Sequence, residues 1–380
     1  MIIGTIASGG YLPRAMAMAR SVKEHMPKTR VVVGIIEDKM PGEALHCPFF
    51  DEVILMKEIC GSNNPNKFFF QYTVLEAARA CKAIVMSYIY SKYVDENILV
   101  YLDAEMKVLT PFDELPAIAA MHPILVTGNL VKPESIDLVW SSEHPDEGLC
   151  NSSFLSLKRH PEAAKFLLWW SKLSEHHGYY DHEQNKYADQ IWLERSHYFF
   201  DDVYTLRHVG YNVNACNIME RWNIVQAERG TYSIDHQPLR CLHFTSDLLQ
   251  ASSWLETSKS ELYNDLFFRY SKELQELGQD SIGTMPWSYD FFYNGERISD
   301  RTKKIFRENY YDNPEIENPF LLSNSYFNTS SVLDSFELNS GPHQPRNTRK
   351  HKTRLNPLKR RKSRLVKMRS KRQKNTRRTR

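Results

Sequence analysis

Apolar residues recur along this chain with two periods. Between residues 11 and 27, Leu12, Ala15, Met16, Ala19, Val22 and Met26 fall on one side of a helix, with Pro13 tolerated in the first turn. Residues 1–7, 30–36, 51–56 and 98–102 are short, mainly aliphatic runs with little polar alternation, as in strands covered on both faces. Further strands are expected at 124–127, 154–157, 203–207 and 240–244. Helices are expected at 68–93, 161–176 and 187–196. The alternation of strand and helix predicts an α/β sandwich around a mixed, mostly parallel sheet.

Beyond this the pattern changes. Residues 255–321 read as a helical, aromatic-rich extension packed on the first 254 residues. Residues 322–345 are rich in Ser, Asn and turn formers, the composition of a linker. Residues 346–380 hold few apolar side chains and like charges throughout, a tail expected to be disordered by itself. Charge sharpens the boundary. Of 49 Lys and Arg, 18 lie in residues 341–380, which contain no acid, so 31 bases face all 46 acids in residues 1–340, a net charge of −15. The overall +3 describes neither part. The tail can hold a polyanion by salt-dependent attraction, and an anionic polymer or surface is its expected partner. A solvated tail, or one folded back on the acidic part, is the plain alternative.

Six scattered cysteines with no CxxC pair suit reduced thiols. The chain opens without a charged leader, and no run approaches the roughly 20 apolar residues a bilayer needs. A cytoplasmic protein with no transmembrane segment is expected.

Candidate chemistry gathers where one apolar run stops. The strand at 98–102 ends at Asp103-Ala104-Glu105. In extended backbone, two side chains one residue apart point the same way, and ligands in open α/β sheets sit beyond the carboxyl ends of strands. Two carboxylates there repel unless a cation lies between them. A hard divalent ion takes oxygen ligands and leaves places open for phosphate oxygens. A D-x-E triplet can equally cap a strand or open a turn. His243 ends another apolar run, as a core histidine or as a third ligand. In the latter case the mixed nitrogen and oxygen set favours Mn²⁺ over Mg²⁺. Lys82 interrupts the stripe Leu75, Ala78, Val85, Ile89 of the expected helix. It either snorkels to the rim or meets a buried anion such as a diphosphate. His176, His177, Asp181 and His182 read as a solvated loop.

The stretches TIASGGYLPRAMAMARSV, FQYTVLEAARACKAIVM, VYLDAEMKVLTPFDEL, GLCNSSFLSLKR, DQIWLE, VGYNVNACNIMER and CLHFTS carry a family likeness through their order and spacing. YDFFYNGERISDRTKKIFREN and NPF extend it. Together they resemble a bacterial glycosyltransferase of the GT-A fold, related to the glycogenin-like and lipopolysaccharide galactosyltransferase group, family 8-like. The resemblance implies that the backbone of Thr5 and Ala7 holds a nucleobase. It implies that Tyr11 stacks on that base, a helix-start staple being the alternative. Asp103 and Glu105 match the D-x-D metal motif, and His243 the histidine that completes it. Asp189 and Gln190 match the Asp-Gln step beside the reacting sugar carbon, where a helix cap is the alternative. Asn151 matches a sugar-contacting residue, or is a turn side chain. The chain departs from the pattern in reading D-A-E for D-P-D, Thr127-Gly128-Asn129 for T-P-H, and in placing Asn214 and Cys216 within G-Y-N-V-A-x-W-N.

The expectation that follows is a metal-dependent glycosyltransferase using Mn²⁺ or Mg²⁺. It would move a hexose from a nucleotide-diphosphate sugar, a UDP-sugar, to an acceptor hydroxyl. The departures leave one alternative: a GT-A-fold protein without turnover, acting as a polyanion-binding scaffold through its tail.

Overall fold

The computed structural model describes residues 1–328, apart from 62–63, 133–134, 136–149, 182–185, 228–229 and 246. His182, most of the expected linker and the whole basic tail lie outside the described residues.

The chain begins with β1 (Ile2–Ala7), buried at every position. It continues through α1 (Leu12–His25), with Pro13 in its first turn, into β2 (Arg30–Ile35). Short helices α2 (Gly42–Leu45) and α3 (Met56–Ile59) bracket β3 (Glu52–Leu55). The single helix expected over 68–93 is two helices, α4 (Pro65–Phe70) and α5 (Val74–Lys92). Thr73 divides them. Its hydroxyl accepts from the Glu76 N–H at 3.4 Å, and its own N–H donates to Glu76 Oε2 at 2.8 Å. This reciprocal capping box starts a new helix, while the apolar rhythm runs on across the break.

Next come β4 (Ile98–Leu102), β5 (Met106–Val108), α6 (Leu115–Met121), β6 (Ile124–Gly128), β7 (Cys150–Lys158) and α7 (Pro161–His177). A small hairpin of β8 (Tyr180–Asp181) and β9 (Lys186–Tyr187) precedes α8 (Gln190–Phe199). That hairpin and a left-handed Ala188 (φ 48°) delay the helix expected from residue 187. Then follow β10 (Val203–Leu206), β11 (Ile224–Gln226), β12 (Tyr232–Ile234), β13 (Gln237–Pro238) and β14 (Cys241–His243). The last helices are α9 (Leu248–Ser252), α10 (Thr257–Glu276), α11 (Asp300–Asn309) and α12 (Asn324–Asn328).

Seven strands form the central sheet in the order β10-β6-β7-β4-β1-β2-β3. β1, β2, β3 and β4 run parallel, as do β6 and β10, and β7 runs antiparallel to both neighbours. This is a mixed, mostly parallel sheet between helices, the Rossmann-like GT-A arrangement. One apolar core joins α1 to the sheet through Leu12, Ala15, Val22, Val31, Val33 and Val100. A second is built by Tyr263, Leu266 and Tyr270 of α10 against Ile224, Ile234 and Leu242. The later residues are tied back to the first strands. The Trp287 indole donates to the Ile36 carbonyl at 2.6 Å, and Lys303 Nζ to the Tyr72 carbonyl at 2.8 Å. Among the described residues no helix is long and apolar enough to cross a membrane.

Two strand pairings position the candidate residues. β4 pairs with β7 up to Leu102–Phe154, and the Asp103 N–H then donates to the Ser153 carbonyl at 3.0 Å. The chain turns immediately, with the Met106 N–H donating to the Asp103 carbonyl at 3.0 Å, and enters β5. β5 pairs antiparallel with β14 so that Met106 faces His243.

Candidate functional site

A cavity of about 570 Å³ opens beyond the carboxyl ends of β1 and β4. Tyr11, Lys82, Asp103, Glu105 and His243 all line it. Its far wall comes from α10 and the residues after it, including Tyr270, Gln275 and Gln279.

Asp103 anchors the buried side. Its carboxylate receives the Tyr101 hydroxyl at 2.9 Å and lies 3.1 Å from Lys82 Nζ. Burial raises its pKa, but Lys82, His243 and Arg79 outweigh that and hold the carboxyl well below the usual range. Burial and the Asp103 charge push Tyr101 well above the ordinary phenol value, so it remains a donor. Lys82 is 1% exposed. Its ammonium reaches Asp103, Asp189 Oδ2 at 3.2 Å and the Ser152 hydroxyl at 3.0 Å. The apolar stripe it interrupts therefore carries it inward, and it does not snorkel.

Asp189 is completely buried at the start of α8. Its side chain makes no capping bond and pairs instead with Lys82 and with Arg79 Nη1 at 3.2 Å. Gln190 Oε1 accepts from the same Arg79 nitrogen at 3.1 Å, and its Nε2 donates to the Cys150 carbonyl at 2.9 Å. Asn151 accepts from the Ser153 N–H at 2.9 Å and donates to Asn129 Oδ1 at 3.0 Å, so it braces the start of β7.

On the open side, Glu105 Oε2 lies 3.6 Å from His243 Nε2. The Phe244 N–H donates to the Glu105 carbonyl at 3.0 Å, which fixes this approach. His243 is buried, and among the described residues its Nδ1 has no hydrogen-bond partner. Glu105 Oε1 is 3.4 Å from Arg14 Nε. Arg14 also covers the Tyr11 ring, its guanidinium carbon 4.8 Å from the centroid. Tyr11 is 39% exposed, unlike a staple packed in the core. Thr5 and Ala7 are buried within β1, and from that strand Ile6 faces the cavity.

The structure thus gathers Tyr11, Lys82, Asp103, Glu105 and His243 at one cavity and links Asp189 to them through Lys82. Gln190 and Asn151 stand behind this layer, and Thr5 and Ala7 do not line it. Among the described residues no three His, Cys, Asp or Glu side chains form a ready metal cluster. The expected trio of Asp103, Glu105 and His243 therefore shares a cavity without closing into such a cluster. Lys82 and Arg14 each already hold one of the two carboxylates. The donor types themselves suit a divalent ion: two carboxylates and an imidazole nitrogen facing one of them. Sequence reasoning overlooked Arg79, one helical turn before Lys82 and so on the same face. Arg14, in the first turn of α1, carries no periodicity signal that would have singled it out.

No family model matches the chain, and no curated protein matches it. Among solved structures it is similar to the galactosyltransferase LgtC in complex with donor and acceptor sugar analogs. That match has 14% identity over 75% of this chain and 98% of that one, with a TM-score of 0.43. It is also similar to the glycosyltransferase GlyE of Streptococcus pneumoniae TIGR4, with 14% identity over 77% and 66% and a TM-score of 0.41. Mouse xyloside xylosyltransferase 1 shows 13% identity over 65% and 99%, with a TM-score of 0.38. Likeness at this level has no bearing on substrate or residue roles.

Proposed function

We propose that this chain is a metal-dependent glycosyltransferase of the glycogenin-like, family 8-like group. It transfers a hexose from a UDP-sugar to an acceptor hydroxyl, with the first 254 residues as the transfer domain and 255–321 as an extension packed on it. One observation carries the reading: buried Lys82 joins Asp103 to Asp189 at the wall of a cavity that Glu105 and His243 also line. A lysine that is 1% exposed and ion-paired with two carboxylates forms a rigid electrostatic centre. Such fixed charge stabilises a departing diphosphate without reorganising during the reaction.

Asp103, Glu105 and His243 are the residues that would hold Mn²⁺ or Mg²⁺, the mixed donor set favouring Mn²⁺. When bound, the ion supplies positive charge to the diphosphate oxygens. Tyr11, at the cavity wall under Arg14, offers its ring to the nucleobase, and the backbone of Thr5 and Ala7, flanking Ile6, would hold the edge of that base. In the transfer, the bond from the anomeric carbon to the diphosphate oxygen breaks with its electron pair staying on UDP, the acceptor oxygen bonds to that carbon, and the acceptor proton passes to the departing diphosphate. Asp189, with Gln190 beside it, offers negative charge to the cationic sugar that develops, while Arg79 and Lys82 fix its position. Asn151 supports this wall.

A second reading has its own support, because both carboxylates of the pair are already neutralised by cations of the chain. In that case the protein is a cytoplasmic scaffold whose basic tail tethers it to an anionic polymer. Donor turnover separates the two readings. Purified protein with Mn²⁺ is expected to release UDP slowly from a UDP-sugar. It is also expected to gain thermal stability from UDP and Mn²⁺ together beyond the sum of each alone. D103N/E105Q should lose the joint gain. A joint gain unchanged in that variant overturns the proposed ion site.

A further inference from the structure

Building on the proposed ion site, we propose that Arg14 is an internal counter-cation of Glu105 that competes with the divalent ion. Three contacts fix it at the cavity wall. Its Nε lies 3.4 Å from Glu105 Oε1, its Nη1 donates to Gln279 Oε1 at 3.1 Å, and its guanidinium covers Tyr11 at 4.8 Å. The other oxygen of Glu105 faces His243 Nε2 at 3.6 Å. Glu105 is therefore shared between a guanidinium and an imidazole, with the Tyr11 hydroxyl also bonding to it. An ion that takes Glu105 and His243 must displace Arg14 from Oε1 or remain within a few ångströms of a like charge.

The two chain cations differ in their freedom to yield. Lys82 is buried, paired with Asp103 and with the fully enclosed Asp189, and hydrogen-bonded to Ser152, so moving it strips an ammonium from Asp103 and leaves Asp189 to Arg79 alone. The Arg14 side chain is 25% exposed and that of Glu105 22%, and the arginine extends from the first turn of α1 on a long flexible stem. Arg14 is therefore the cation that gives way. Gln279 holds it from outside the sheet, from the segment after α10, and so retains it over the cavity when Glu105 is taken. From that position its charge serves an incoming diphosphate, because a guanidinium matches phosphate oxygens in planar geometry.

Direct Mn²⁺ titration of the nucleotide-free full chain, followed by the electron paramagnetic resonance of free Mn²⁺, tests this. R14Q should bind Mn²⁺ about fivefold more tightly than wild type, the scale of one part-exposed ion pair. R14K, which keeps the charge, should stay near wild type. Q279A, which keeps Arg14 but removes one of its holds, should shift in the direction of R14Q by a smaller factor, and covers the case in which R14Q fails to fold. If neither R14Q nor Q279A binds Mn²⁺ more tightly than wild type, the proposal is overturned. If wild type takes up Mn²⁺ with UDP while those variants are unchanged, the competition alone is lost. If no form of the chain takes up Mn²⁺, with or without UDP, the ion site fails as well.

Discussion

Two buried charges govern stability at the residue scale. Asp189 is fully enclosed, and Lys82 and Arg79 are its counter-ions. Removing Lys82 leaves the enclosed Asp189 to Arg79 alone and takes the ammonium from Asp103, an imbalance that costs up to about 3–5 kcal/mol. Lys82→Met is therefore expected to lower unfolding stability by an amount in that range, read as a shift in the urea midpoint. A shift comparable with that of a surface substitution would show that Asp189 is not held by Lys82. A second residue gives a pH signature. Burial raises the Glu114 pKa, but the Arg240 guanidinium and the Tyr211 hydroxyl at 2.9 Å outweigh this, so it lies below the ordinary value. A depressed carboxyl adds stability that is fully present above its unfolded pKa of about 4.3 and is lost as pH falls through the folded value. Glu114→Gln should be less stable than wild type at neutral pH, and the gap should narrow below about pH 4. A gap that is constant with pH contradicts the ion pair.

At the element scale, the site depends on where β14 lies. His243 reaches Glu105 only because β14 pairs with β5, Met106 opposite His243. Gly210 fixes that placement. Its carbonyl accepts the Arg240 N–H at 2.8 Å and the Cys241 N–H at 3.2 Å, and a Cβ on it would clash with the Pro238 carbonyl oxygen. The obstacle is backbone, so no rotamer relieves it. Gly210→Ala should destabilise the chain by about 1–3 kcal/mol and weaken Mn²⁺ binding along with it. Retention of both within error would mean that this close approach does not hold β14. The α4–α5 break follows the same logic on a smaller scale. Hydrophobic period alone joins 68–93, and only the reciprocal bonds of Thr73 and Glu76 divide it.

At the scale of the whole molecule, charge is the dominant asymmetry. Residues 1–340 carry a net −15, and residues 341–380 carry 18 bases and no acid. A polyanion should meet the tail and be repelled elsewhere. The full chain is expected to elute from heparin at clearly higher salt than a chain ending at residue 340, because counter-ion release scales with the number of contacts. Equal elution would remove the tail from any such role. The α10 wall of the cavity belongs to this scale too. Gln275 and Gln279 lie more than 170 residues after Asp103 in sequence yet line the same space.

The sequence by itself determined the local elements and the character of the site. Unbroken aliphatic runs predict the inner strands, since a strand covered on both faces has no reason to alternate. A carboxylate pair directly after the run at 98–102 marks a strand end that opens on a cavity. A lysine within an apolar stripe marks an inward charge. Each of these signals lies within one turn or one strand, where spacing fixes direction. Tertiary structure alone decided which charges meet. Lys82 joins Asp189, Arg14 takes Glu105, and His243 arrives beside Glu105 through strand register. No periodicity spans those separations. The partners are chosen by how the sheet orders its strands and by the cost of leaving any buried charge unpaired.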